Sequence, residues 1–168
     1  MMRTMTAVLA GSLMISGAAL ADEPVTIAPI SFGEELMEKA DEYGEREFGR
    51  LARYLERQLE NRLEGLEMAD GTVLQVTIVD ADPNRPTMEQ MRDTPGLSMA
   101  SISLGGAELE AVLVSADGDV LERFEYSRRS HNIRDVIGAS TWSDARRTMQ
   151  GFARQIGETV AERSGADS

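Results

Sequence analysis

The chain is 168 residues long, with 29 acidic and 17 basic side chains, one histidine and no cysteine, and a formal net charge of −12. So acidic a balance opposes bulk binding to nucleic acid or to an anionic bilayer. A lone histidine without cysteine supplies no zinc ligand set, no disulfide and no lipidated thiol.

The first residues, MMRTMTAVLAGSLMISGAALADEP, put one charge, Arg3, ahead of an apolar run from Ala7 to Ala18, and Ala19-Leu20-Ala21 ahead of Asp22. This is the layout of a secretory signal peptide cut after Ala21, and the run is short for a bilayer span. The expected product is one exported periplasmic domain, residues 22–168, with 16 basic against 29 acidic side chains and no transmembrane segment. Without disulfides, its apolar core must hold the fold.

PVTIAPI, residues 24–30, reads as a short strand or extended arm. From Glu45 to Leu66 the residues Phe48, Leu51, Ala52, Leu55, Leu59, Leu63 and Leu66 recur at helical spacing, an apolar stripe that needs a sheet to cover. In TVLQVTIVDADP, Leu74, Val76 and Ile78 alternate with Gln75 and Thr77, the pattern of a half-buried strand. Residues 81–97 hold three of the five prolines and read as a loop with one helical turn around Thr87 to Arg92; a loop of this length is uncommon unless functional. SMASISLGGAELEAVLVSADGDVLERFEYS reads as two or three strands, with a bulge or tight turn at Gly105-Gly106 and a hairpin turn at Gly118. After a polar connector, the last helix starts at a Thr141–Asp144 capping pair and buries Ala145, Met149, Phe152, Ile156 and Val160, with Trp142 as a core plug. The order β-α-β-β-β-α predicts an α+β fold: an antiparallel sheet of about four strands with two amphipathic helices on one face.

Two segments, GGAELEAVLVSADGDVLERFEY and STWSDARRTMQGFARQI, resemble an uncharacterised family of small exported proteins of Gram-negative bacteria. The shared features are the Gly-Gly-Ala strand, the A-x-G hairpin and the T-W-x-D-A helix, over about Gly105 to Ile156. The resemblance implies a periplasmic α+β domain and brings no known activity, so no functional residue is carried over from it.

No catalytic constellation is legible. His131 lies in a polar connector, no G-x-S-x-G elbow occurs, and Gly105-Gly106 matches neither phosphate-binding pattern. Asp80, Asp82, Asp93, Asp117 and Asp119 lack the spacing of a helix-loop-helix calcium site, and no metal or cofactor is expected. Two features remain as binding candidates. Arg46, Arg50, Arg53 and Arg57 form a narrow stripe opposite the apolar face of the long helix, suited to an anionic partner. Asp80 and Asp82 end a strand beside the long loop. The leading expectation is a non-enzymatic periplasmic module that binds a protein or an anionic envelope component through the arginine stripe, the loop 81–97 or a sheet edge. The alternative is a small enzyme or calcium-dependent binding domain using carboxylates near Asp80 and Asp82. The oligomeric state is left open, with a homodimer joined by sheet edges or helix faces as a further possibility.

Overall fold

The apolar stripe of the long helix does find its sheet. The computed structural model describes residues 22–69 and 71–166; the expected signal peptide lies outside them. In chain order the elements are β1 (Asp22–Pro24), β2 (Thr26–Ile27), β3 (Ser31–Phe32), α1 (Glu34–Glu38), α2 (Ala40–Tyr43), α3 (Glu45–Leu63), β4 (Glu67–Ala69) and β5 (Val73–Asp82). There follow α4 (Met88–Asp93), β6 (Gly106–Val114), β7 (Val120–Arg129), a 3₁₀ turn at Ile133–Val136 and α5 (Ser143–Ala166).

The fold is α+β. The three long strands β5, β6 and β7 are antiparallel neighbours, as expected. The segment at residues 24–30, expected as a short strand or an extended arm, is extended but broken, and residues 22–32 form three fragments: β1 pairs with β4 apart from the main sheet, while β2 and β3 run parallel to β5. A parallel edge is the outcome of the crossover through α1 to α3, which carries the chain back before β5 begins. Residues 98–105, expected within a strand, are irregular, and β6 begins only at Gly106.

One sheet face carries Leu74, Val76, Ile78, Ala107, Leu109, Ala111, Leu113 and Phe124, all buried. Helices α3 and α5 pack on it together. Phe48, Leu51, Leu55, Leu59 and Leu63 come from α3; Ala145, Met149, Phe152, Ile156 and Val160 come from α5. Trp142 is buried among them, the core plug that its position suggests. The other face presents Gln75, Glu110, Arg123, Glu125 and Ser127 to solvent. At the β6–β7 hairpin, Gly118 has φ +88°, the left-handed conformation that its turn requires.

Candidate functional site

A β-bulge decides what Asp80 and Asp82 can do. Alternation from Leu74, Val76 and Ile78 would point residue 80 into the apolar layer. The β5–β6 register slips between Ile78 and Asp80, so Ile78 pairs with Leu109 but Asp80 pairs with Glu108 and Asp82 with Gly106. The extra residue, Val79, turns both carboxylates off the apolar row and gives the inward place to Ala81, fully buried opposite Ala107.

There the two carboxylates meet two cations. Lys39, between α1 and α2, donates to Asp80 Oδ1 at 2.7 Å and to Asp82 Oδ1 at 3.0 Å. Arg129, at the end of β7, donates to Asp80 Oδ2 at 2.6 Å and also to Asp82 Oδ2. The Tyr43 hydroxyl donates to Asp82 Oδ1 at 3.1 Å. All four carboxylate oxygens are thus engaged and the cluster is neutral, with Asp80 buried and the cations partly exposed. Burial alone would raise the Asp80 carboxyl, but hydrogen bonds from Lys39 and Arg129 outweigh it and hold it below the usual carboxylate range. Its contribution to stability is present above the ordinary carboxylate range and is lost as the pH falls through the depressed value. Burial, reinforced by the charges of Glu42 and Asp80, pushes the Tyr43 phenol up to about 12, so it stays a donor at every physiological pH.

A second polar joint lies beside the first. The Thr141–Asp144 capping pair does not form. The start of α5 is instead capped by Asn84, 60 residues away: the Asp144 N–H donates to Asn84 Oδ1 at 2.9 Å. The Asp144 carboxylate accepts from Asn84 Nδ2 at 2.5 Å, from the Ser130 hydroxyl at 2.6 Å and from Arg147 at 2.8 Å. A buried acid that gathers three donors is better satisfied than one exposed in a local cap, which is why the long-range arrangement wins. Gly105 serves this joint by close approach, since a Cβ there would lie within 2.8 Å of three Asn84 side-chain atoms. Trp142 donates from Nε1 to Glu47 Oε2 at 2.8 Å and packs edge-on against Tyr43 with ring centroids 5.7 Å apart.

From these joints hangs the chain between Pro83 and Gly105. Arg85 ties it down by donating to the carbonyls of Ala139 (2.9 Å), Met99 (2.9 Å) and Ile137 (2.5 Å). The expected helical turn is present as α4, closed by a Thr87–Gln90 capping box, and Gln90 Nε2 donates to Glu42 at 2.7 Å. Under this excursion is a cavity of about 320 Å³. Pro83, Pro86, Leu97, Ile102 and Leu104 give it apolar walls, and Tyr43 and Asp82 line it from the ionic cluster.

The four stripe arginines stand elsewhere. Arg46, Arg50, Arg53 and Arg57 are all exposed, and none lines the cavity beside Asp82. Among the described residues only Arg50 of the four has an ion pair, to Glu47 at 2.5 Å. Arg57 lies 5.9 Å from the Tyr54 ring centroid and Arg146 of α5 lies 5.3 Å from it, while Gln150 donates to the Tyr54 hydroxyl at 2.7 Å. His131 is exposed.

The sequence reading missed Lys39, Tyr43, Asn84 and Arg129. Lys39 carried one signal, being the only lysine among 17 basic residues. Arg129 was legible only through the register, which sets Asp82 opposite Gly106 and Gly106 opposite Arg129.

No protein-family model matches the chain, and no curated protein matches it. Among solved structures, a candidate lipoprotein from Caulobacter crescentus CB15 is similar over 86% of this chain and 93% of that one, with a TM-score of 0.45 and 14% sequence identity. That likeness is too slight for any role to pass from one chain to the other.

Proposed function

We propose that the chain is an exported, non-enzymatic binding module of the cell envelope, taking a small amphipathic group of an envelope component into the cavity beside Asp82. The observation that supports this reading is a pinned loop over open space. Asn84 and Arg85 hold the excursion at several carbonyls and amides, yet about 320 Å³ stays open beneath it, near the lower end of small-ligand sites. An apolar body would lie against Pro86, Leu97 and Ile102, and a polar end against Tyr43. Export rests on the N-terminal segment and on the family resemblance.

The carboxylate alternative is not favoured by this geometry. General acid-base work near neutral pH needs a carboxyl raised toward neutrality, and Asp80 is held the other way. A calcium ion would have to displace Lys39 and Arg129 from oxygens that they already neutralise.

The test uses Nile red, a neutral apolar dye, titrated against the wild-type protein and an Ile102→Arg variant. The expected result is one saturable site in the wild type, weakened at least about tenfold in the variant, with a change in the emission of Trp142, which touches the cavity through Tyr43. Equal binding by both proteins, or none by the wild type, would overturn the assignment.

A further inference from the structure

Two surfaces remain outside that reading, and they are complementary. The first is basic. Arg53 and Arg57 of α3 and Arg146 of α5 are exposed, the last two beside the Tyr54 ring, and none has an ion pair among the described residues. The second is acidic and lies on the sheet face that, among the described residues, no helix covers. Glu110 and Glu125 are exposed there as direct cross-strand partners, with Glu108 two residues along the same face of β6. Like charges placed directly opposite destabilise a strand pair unless a cation comes between them. Arg123, on the same face, stands opposite Val112 and makes no ion pair with either glutamate.

We propose that the occupant of the open sheet face is the α3–α5 arginine surface of a second copy of this chain, giving head-to-tail self-association. Three observations carry it. Both halves of the contact are on the same molecule, one on the helical layer and one on the uncovered face of the sheet. Their repeats match: Arg53 and Arg57 are about 6 Å apart along a helix axis, and Glu108 and Glu110 about 7 Å apart along a strand. The uncompensated Glu110–Glu125 pair is relieved by a guanidinium seated between the two carboxylates. Glu56 and Glu60 run along one flank of the arginine stripe, and Arg123 gives the sheet face a cation to meet them. Two net-negative chains repel at long range, but at physiological salt that repulsion is damped beyond about 8 Å, while paired charges act at contact. Because the two patches differ, the contact is heterologous, and each copy leaves one patch free for the next.

This inference stands independently of the cavity. The experiment is sedimentation velocity across a concentration series at about 0.15 M and about 1 M salt, the Debye length falling from about 8 Å to about 3 Å. Wild-type mass should rise with concentration at the lower salt and return to one copy at the higher. Arg53→Glu with Arg57→Glu, and separately Glu110→Arg with Glu125→Arg, should each weaken association at least about tenfold. The two variants mixed together should associate, and a chain carrying all four reversals should associate with itself again, which a merely misfolded variant could not do. A monomeric wild type at the lower salt, association indifferent to both pairs of reversals, or failure of both the mixture and the four-fold variant would each overturn the proposal.

Discussion

At one end of the interface between helices and sheet, Leu59 and Leu63 meet Leu74, Leu113, Ile156 and Val160 in an apolar core, whereas the other end is joined by Glu47, Trp142, Asn84, Asp144 and the Asp80–Asp82 cluster. The apolar end is non-directional and holds through area removed from water. The polar end is directional: its donors must meet acceptors at set distances and angles, so the segments from five parts of the chain are held in a single arrangement. The cavity lies against the directional end. A binding wall needs atoms fixed in position, and hydrogen bonds to Asn84 and Arg85 fix a loop that has too little apolar area to fix itself.

The contrast can be broken first at the apolar end. Leu59→Ala, at a fully buried position, should cost about 3 kcal/mol and move the whole unfolding transition, read by urea denaturation. At the polar end, Asn84→Ala removes the cap of α5 and one donor to Asp144, and should cost about 2 kcal/mol. Its sharper signature is local: amide exchange should accelerate at the start of α5 and across 83–105 more than in β6, and uniform acceleration would show that the joint is no separate unit. The smallest effect is expected from Tyr43→Phe, about 1 kcal/mol at neutral pH from the lost hydrogen bond to Asp82. Since folding raises the Tyr43 phenol from 10.0 to about 12, wild-type stability should decline as the pH rises through that window, and the phenylalanine variant should lack that part of the decline. Equal alkaline slopes in the two proteins would remove Tyr43 from the cluster's electrostatics.

The apolar end was legible from residue spacing because helix and strand periods write their buried faces directly into the sequence. The stripe from Phe48 to Leu63, the alternation at Leu74, Val76 and Ile78, and the buried face of α5 all stand where the periods put them. The turn at Gly118 and the helical turn around Thr87 to Arg92 were legible too, since both rest on local chemistry. The start of α5 misled. Thr141 and Asp144 have the spacing of a local cap, but Asn84, brought in by the fold, offers Asp144 better satisfaction.

What the sequence by itself determined is the set of faces: which residues are apolar, in which period, and therefore an α+β domain with two helices on one side of a sheet. What only the tertiary structure decided is the meeting of Lys39, Tyr43, Asp80, Asp82 and Arg129. It rests on a single inserted residue at Val79, which reverses the side on which two aspartates fall. It rests also on a strand register that brings in Arg129 from 47 residues beyond Asp82. Periodicity records which way a side chain points along its own element, and it holds no information about which other element stands opposite.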